Sequence, residues 1–243
     1  MPPRFHVAAP LQTGLLLTLP EGPSRHAQVL RLQPADPVTL FDGAGGEWRA
    51  EIRQMGRKEV QVLVGEHLAA DPRELQRHVT LAFGMPANER MDTLVEKATE
   101  LGVAAIQPLM TERSVLRLSG ERALRKQLHW QAVAVSACEQ SGRTRVPDIA
   151  PVRTLPAWLA LPSQAGAACL LLSPGTAPPL PRALPAGTGD VVLLSGPEGG
   201  LSEAEEAAAR TVGFLPVSLG TRVLRADTAP LAALAWWAID ALA

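Results

Sequence analysis

The first third of the chain contains short apolar runs separated by turn residues. Val38–Phe41, Trp48–Ile52 and Val60–Val64 are rich in β-branched and aromatic residues, which predicts three strands. The Asp42-Gly43 pair between the first two runs is typical of a tight turn, so these runs are expected to form a hairpin. A segment beginning at Ser24 predicts one short helix. This region therefore favours a small β-rich module.

After the segment 71–74 the pattern changes to strands that alternate with helices. Apolar runs predict the strands Val79–Phe83, Val103–Ile106, Ala168–Leu172, Val191–Leu194 and Phe214–Ser218. Helical spacing predicts helices over 90–101, 121–140 and the C-terminal residues, and the second of these should carry one apolar face made of Leu124, Leu128, Ala132, Val135 and Cys138. Such alternation predicts an α/β fold with a mostly parallel sheet covered on both faces. We expect two domains, 1–72 and 73–243.

A glycine-rich loop follows the strand predicted at 191–194. The loop has the sequence SGPEGG, and Ser202 with Glu205 forms a capping-box pattern that predicts a helix immediately after it. Ligands of α/β proteins bind outside the carboxyl ends of the strands, so this loop is a candidate binding site. An ordinary strand-to-helix turn is the alternative. No Lys-Ser or Lys-Thr pair follows the glycines, and their spacing differs from the dinucleotide fingerprint.

Composition restricts the class of protein only broadly. Of 243 residues 47% are hydrophobic, and the net charge is −1. Cys138 and Cys169 are too few for a disulfide framework and lack metal-ligand spacing, which favours a reduced, cytoplasmic protein without a metal site. No apolar stretch approaches the length of a membrane span. Basic residues predominate between Arg113 and Arg145, either as a phosphate-binding patch or as a solvated helix face.

Five motifs occur in order along the chain: HAQVLR at 26–31, EKATELG at 96–102, EQSGR at 139–143, GPEGGLSEAE at 196–205 and LGTRVLRADTA at 219–229. Together they resemble the RsmE family, the ribosomal-RNA uridine N3-methyltransferases of the SPOUT superfamily. The resemblance implies a SPOUT-type parallel sheet with a C-terminal trefoil knot, preceded by a PUA-like β-barrel RNA-binding domain. It also implies a cytoplasmic homodimer that uses S-adenosyl-L-methionine (AdoMet) to methylate N3 of a uridine in small-subunit ribosomal RNA, as naked RNA or in the assembled subunit.

The same resemblance implies roles for individual residues. The AdoMet pocket would consist of Leu172, Ser173, Gly196, Pro197, Glu198, Gly199, Leu219, Gly220, Val223, Leu224 and Thr228. The acceptor chemistry would involve Arg225, Glu198 and Asp227, the last in place of the glutamate usual in the family. For Glu198 an alternative is that its carboxylate fixes the loop by accepting backbone hydrogen bonds.

RNA contacts are implied for Arg4, His26, Arg31, Lys97 and Arg143. For His26 the alternative is a surface or capping histidine, and for Lys97 and Arg143 it is a polar helix face or a brace in the dimer. Two other functions remain open: a SPOUT methyltransferase that modifies another RNA such as tRNA, and a noncatalytic RNA-binding protein that retains the fold.

Overall fold

The computed structural model describes residues 2–57, 59–68, 73–161, 166–175, 177–183 and 189–240. The chain folds as two compact units, one formed by Met1–Glu74 with Val135–Val146 and the other by Leu75–Ala134 with Pro147–Ala243. Asp71 and Pro72, at the expected domain boundary, lie outside the described residues. None of the helices in the described ranges is long and apolar enough to cross a membrane.

The first unit is built around a five-stranded sheet with the strand order β1-β3-β4-β5-β2. Its elements are β1 (Arg4–His6), β2 (Leu16–Thr18), α1 (Glu21–Val29), β3 (Pro37–Phe41), β4 (Glu47–Met55) and β5 (Val60–His67). The predicted hairpin is confirmed, because β3 and β4 pair antiparallel and Oδ1 of Asp42 accepts hydrogen bonds from the backbone N–H groups of Ala44 and Gly46 in the turn. Alternating side chains of these strands form the core of this unit, together with Ala27 of α1.

The second unit contains a parallel sheet, as predicted. The strands are β6 (Val79–Gly84), β7 (Ala105–Met110), β8 (Asp148–Ile149), β9 (Arg153–Thr154), β10 (Ala168–Leu172), β11 (Val191–Ser195) and β12 (Leu215–Val217). Their order is β12-β10-β11-β6-β7-β8, with β9 also paired to β7, and every pairing is parallel. The helices are α2 (Asn88–Glu100), α3 (Gly120–Ser141), α4 (Leu155–Leu159), α5 (Leu180–Ala183), α6 (Glu203–Thr211) and α7 (Thr228–Asp240).

The strand predicted to begin at Val103 begins instead at Ala105. The N–H of Val103 donates to the carbonyl of Ala98, and Gly102 has a φ of +93°. These two residues therefore complete the C-terminal cap of α2 before the extended chain begins. The predicted parallel α/β architecture with a preceding β unit is confirmed, whereas the trefoil knot stays a prediction.

The apolar face predicted for α3 is wrong over most of its length, because Leu124, Leu128 and Ala132 are all exposed. Leu124 and Leu128 are 56% and 61% exposed, whereas Trp130, Ala134 and Cys138 are fully or almost fully buried. Trp130 determines which side faces the core of the second unit, since its ring is buried and its Nε1 donates to Oδ1 of Asp92 on α2 at 3.1 Å. Burial of one large side chain with a polar partner thus decides which face of α3 is buried, although two leucines at helical spacing lie on another face.

Candidate functional site

The loops after three neighbouring strands surround a cavity of about 600 Å³ in the second unit. Strands β12, β10 and β11 are adjacent and parallel, so their carboxyl ends lie at one edge of the sheet. Leu172 and Ser173 follow β10, the glycine loop follows β11, and residues 219–226 follow β12. The two loops that the sequence suggested for one pocket do contribute to the same cavity.

Most of the predicted cofactor residues line this cavity. The exception is Thr228, the first residue of α7, which is not among the lining residues. Of the residues predicted for the acceptor chemistry, Glu198 and Arg225 line the cavity and Asp227 does not. The sequence analysis did not identify several further lining residues, notably Arg90, Arg113, Ser195, Glu206 and Arg222. Arg222 lies in the last of the five motifs, Ser195 begins the SGPEGG loop and Arg113 begins the stretch rich in basic residues. Nothing in the sequence distinguished Arg90 and Glu206.

The glycine loop turns too tightly for a side chain at Gly196. A Cβ atom there would lie 2.7 Å from the backbone nitrogen of Leu201, so this position requires glycine. The predicted capping box is present: the hydroxyl of Ser202 accepts from the N–H of Glu205, whose carboxylate accepts from the N–H of Ser202. Oε1 of Glu205 also accepts from the backbone N–H of Glu112 at 2.8 Å. The loop is thereby tied to the segment that follows β7.

Two arginines that approach the loop from elsewhere in the sequence hold it further. Nη1 of Arg113 donates to the carbonyl of Gly199 at 2.8 Å. Glu198 Oε1 accepts from the backbone N–H of Ala87 at 3.1 Å and from Nη1 of Arg90 at 3.3 Å. Ala87 is the N-cap residue of α2 and has no side-chain cap of its own, so the Glu198 carboxylate lies at the positive end of that helix. This arrangement supports the loop-fixing alternative for Glu198.

A second carboxylate, that of Glu206, also lines the cavity. Glu206, in the first turn of α6, accepts from the hydroxyl of Ser173 at 3.3 Å and from Nη2 of Arg210 at 2.9 Å. The loop after β10 is therefore bonded to α6 through a charged group that also borders the cavity.

The loop after β12 carries two arginines, Arg222 and Arg225, at the edge of the cavity. Arg222 and Arg225 are both exposed, and the guanidinium group of neither makes a hydrogen bond or ion pair with any described residue. The cavity lining contains four arginines but only two carboxylates, those of Glu198 and Glu206. Both carboxylates already accept from arginines, so Arg222 and Arg225 give the cavity a positive side that suits an anionic group.

The residues predicted to contact RNA have different environments. In the first unit, Arg4 is buried, pairs with Glu47 and donates to the carbonyl of Arg143 at 3.1 Å. Nε and Nη2 of Arg143 donate to Oε2 of Glu74 at 3.0 and 2.7 Å. Phosphate binding by either guanidinium would require these buried pairs to open. In the second unit, Lys97 lies between Glu100 and Glu96, and both carboxylates raise the pKa of its ammonium.

The remaining two predicted RNA contacts, His26 and Arg31, lie on α1 and just after it. The imidazole of His26 is half exposed, packs its edge against Phe5 and lies 3.8 Å from a carboxylate oxygen of Glu139. Arg31 is exposed and has a φ of +56°. Two of the five motifs thus meet within one unit, since Glu139 belongs to the EQSGR segment.

Two stretches of the chain match known domain families. The family model of the RNA methyltransferase domain matches residues 73–238, and the family model of the RNA methyltransferase PUA domain matches residues 21–65. The parallel sheet and its loop-lined cavity are therefore those of an RNA methyltransferase domain.

Curated relatives specify the family. Ribosomal RNA small subunit methyltransferase E of Synechocystis is 38% identical over 86% of this chain and 67% of its own length. The Bacillus subtilis protein of the same name is 32% identical over 85% of this chain and 82% of its own length. The Neisseria gonorrhoeae enzyme of that name, in a crystal structure with bound S-adenosyl methionine, is 38% identical, covers 97% of this chain and 96% of its own, and has a TM-score of 0.90. This chain belongs to the ribosomal RNA small subunit methyltransferase E family.

Proposed function

We propose that this protein transfers a methyl group from AdoMet to N3 of a uridine in the RNA of the small ribosomal subunit. The observation that carries the proposal is the cavity at the carboxyl ends of β10, β11 and β12, with its glycine loop, in a chain of this family. RNA modification by an enzyme of this kind takes place in the cytoplasm, where we expect the protein to act.

The cavity suits AdoMet in size and in chemistry. Its volume of about 600 Å³ is in the range usual for small-ligand sites, roughly 300–1,000 Å³. Leu172, Leu219 and Leu224 offer apolar surface for an adenine ring, and the backbone of the glycine loop offers donors and acceptors for its edge. Glu206 would accept from hydroxyl or ammonium groups of the cofactor. AdoMet supplies an electrophilic methyl group, so the protein needs mainly to orient the acceptor.

The acceptor requires more from the protein, because N3 of uracil carries a proton at neutral pH. Removing that proton leaves an anion shared with the carbonyl oxygens of the base, which a fixed cation stabilises. Arg225 is our candidate for this role, since it borders the cavity and its permanently charged guanidinium has no partner among the described residues. Asp227 is the candidate proton acceptor by its place two residues after Arg225 in the same motif. It does not line the cavity, and its Oδ1 is buried without a hydrogen bond from any described group, so this role requires the loop to turn the carboxylate toward the base. Glu198 would position the loop through Ala87 and Arg90.

We further propose that residues 1–72 bind RNA, that 73–243 carry the methyl transfer, and that the active protein is a homodimer. Two features support a dimer. Helix α7 is apolar around most of its circumference, which is typical of a helix that is covered on all sides, yet Ile239 on it is exposed. Val223, in the cavity loop, is 84% exposed. A second subunit that covers these residues would bring its own groups close to the cavity. Light scattering on the purified protein tests this directly.

The proposed function is tested in two steps with the full chain. Calorimetry should show AdoMet binding, and labelled AdoMet should then transfer methyl to 16S ribosomal RNA or to the small subunit, with the product identified as 3-methyluridine by mass spectrometry. Transfer to tRNA instead would support the other-RNA alternative. A folded protein that binds RNA but does not bind AdoMet would favour the noncatalytic alternative.

A further inference from the structure

Helix α1 ends in the same way as two other helices of this chain, but with a different residue at the critical position. In α2 and α6 the residue after the C-cap is glycine, Gly102 or Gly213, with φ near +95°. The next N–H donates to a carbonyl five residues earlier, and the glycine N–H donates to one three residues earlier, which defines a Schellman motif. The end of α1 has both bonds, from Leu32 to Ala27 and from Arg31 to Gln28. Its left-handed residue is Arg31, with a φ of +56°.

An arginine in this conformation is costly to the fold. A side chain in the left-handed region is less favourable than glycine, which is the residue that the chain uses at the other two ends. The guanidinium of Arg31 does not offset this by stabilising the folded state, because it makes no hydrogen bond or ion pair within the described part of the chain. The conformation instead fixes the direction in which an exposed cation leaves the helix end.

The surroundings of Arg31 combine two exposed apolar side chains with more unpaired cations. Val29 and Leu30 are 72% and 44% exposed. Arg25 is one helical turn before Val29 and therefore lies on the same face of α1. Arg57 is brought close by Gln28, whose side-chain amide donates to the carbonyl of Gly56 at 2.8 Å.

Neither Arg25 nor Arg57 pairs with a described residue. Glu21, one turn earlier on α1, and Glu59, at the other end of the hairpin turn, are the nearest acidic residues in the sequence and pair with neither of them. The first 72 residues contain seven basic and eight acidic residues, so this cluster is a product of the fold and not of the composition. We call the five residues Arg25, Val29, Leu30, Arg31 and Arg57 the α1-end surface.

We propose that the α1-end surface binds an unpaired segment of the ribosomal RNA, with the three arginines on its phosphates and with Val29 and Leu30 against the face of one base. The inference rests on the proposed function and adds the surface that holds the substrate. Charge complementarity favours RNA, because permanent cations without protein partners gain most from phosphate oxygens. Splayed bases of single-stranded RNA supply the flat apolar faces that two exposed aliphatic side chains can cover. His26, although adjacent, is directed to Phe5 and Glu139.

The decisive measurement is the salt dependence of binding of fluorescein-labelled oligouridine to the full chain. Replacing Arg25 and Arg57 by Ala and Arg31 by Gly should weaken binding about tenfold and lower the magnitude of the log–log salt slope by about two, since each phosphate contact on a single strand contributes about 0.7. The matched control is Arg49→Ala with Arg53→Ala, two exposed arginines of β4 in the same unit that pair with Glu66 and Glu51. The control should bind RNA as the wild type does.

Single variants separate a role in RNA binding from a role in folding. Arg31→Gly should weaken RNA binding while leaving the melting temperature unchanged or higher, because it removes the strained side chain. Ala35→Gly is its control, since Ala35 also has a positive φ, +75°, and should stabilise without an effect on RNA. Val29→Ala with Leu30→Ala should lower affinity without changing the salt slope.

An unchanged affinity and salt slope in the triple arginine variant would overturn the proposal. Methyl transfer by the wild type to 16S ribosomal RNA, measured in parallel, separates this failure from failure of the proposed function. If the wild type is active and the triple variant binds RNA as the wild type does, only the RNA-binding role of the α1-end surface is refuted. A wild type that binds AdoMet but transfers no methyl group to this RNA would refute the proposed function.

Discussion

The carboxylate of Glu198, in the glycine loop after β11, accepts a hydrogen bond from the backbone N–H of Ala87 at the start of α2. Residues that are 111 positions apart in sequence are thereby joined at the wall of the cavity. The loop geometry therefore depends on α2 as well as on its own glycines. The same carboxylate is also a candidate proton acceptor. Because it bonds to both Ala87 and Arg90, substitutions at Glu198 can separate that role from a role in holding the loop.

Glu198→Gln should retain methyl transfer at saturating AdoMet and weaken AdoMet binding severalfold. The amide oxygen can still accept from Ala87, but the charge opposite Arg90 is lost, and hydrogen bonds to charged groups are about twice as strong as neutral ones. Calorimetry and single-turnover rates measure the two effects. If Glu198 took the proton from the base, both Glu198→Gln and Glu198→Ala would abolish transfer even with the cofactor bound.

Arg225→Ala should reduce methyl transfer by a factor of about 100 or more, the usual effect of removing a group that stabilises transition-state charge. AdoMet affinity should change little, because the guanidinium is exposed and bonds to no described residue of the pocket. Arg122→Ala, which removes an exposed cation from α3, serves as the control. Equal loss of binding and transfer would show that Arg225 supports the loop and does not act on the acceptor.

Gly196→Ala should abolish AdoMet binding without unfolding the chain. The added Cβ would lie 2.7 Å from the nitrogen of Leu201 and 2.8 Å from the carbonyl carbon of Gly200, so the loop would have to open. Gly189→Ala is the matched control: apart from its chain neighbours, no described residue has an atom within 4 Å of the added Cβ, and this variant should bind as the wild type does. Titration of both variants with AdoMet gives the comparison, and normal binding by Gly196→Ala would mean that the cofactor lies elsewhere.

Glu74→Ala should cost about 3–5 kcal/mol of unfolding free energy, as expected when a buried charge loses its partner. Oε2 of Glu74 accepts from two nitrogens of Arg143, and its Oε1 accepts from the backbone N–H groups of Thr144 and Arg145. Urea unfolding measures the loss. Glu66→Ala removes an exposed carboxylate of the same unit and should cost no more than about 1 kcal/mol. A similarly small loss for Glu74→Ala would contradict the expected contribution of this pair to stability.

Glu139→Gln should stabilise the protein at pH values above the raised pKa of the Glu139 carboxyl. Burial raises the pKa of the Glu139 carboxyl, so the folded state binds the proton more tightly than the unfolded state and loses stability as pH rises through that pKa. The amide can still accept from the N–H of His6, which donates to Glu139 Oε1 at 3.0 Å, but carries no desolvated charge. Melting temperatures across pH should show an advantage at high pH that disappears in acid. An advantage independent of pH would contradict this origin.

The local elements were predictable because their signals are short-range. The capping box of Ser202 and Glu205, the Asp42 turn and the strand at Ala168–Leu172 all formed as the sequence indicated. Five motifs and the alternation of strands with helices also sufficed for the family and the parallel sheet. These features depend on neighbouring residues or on patterns that the chain displays directly.

The tertiary structure decided which side chains remain available for ligands. Arg4 and Arg143 carry charges suited to phosphate, yet long-range contacts bury them against Glu47 and Glu74. Nothing in the sequence placed Arg90 or Arg113 near the glycine loop, but folding brings both to it. Similarly, Trp130 decided the buried face of α3. The sequence determined the elements, the family and the glycine loop, whereas pairing and exposure of the charged residues followed from the fold, because burial and ion pairing depend on residues distant in sequence.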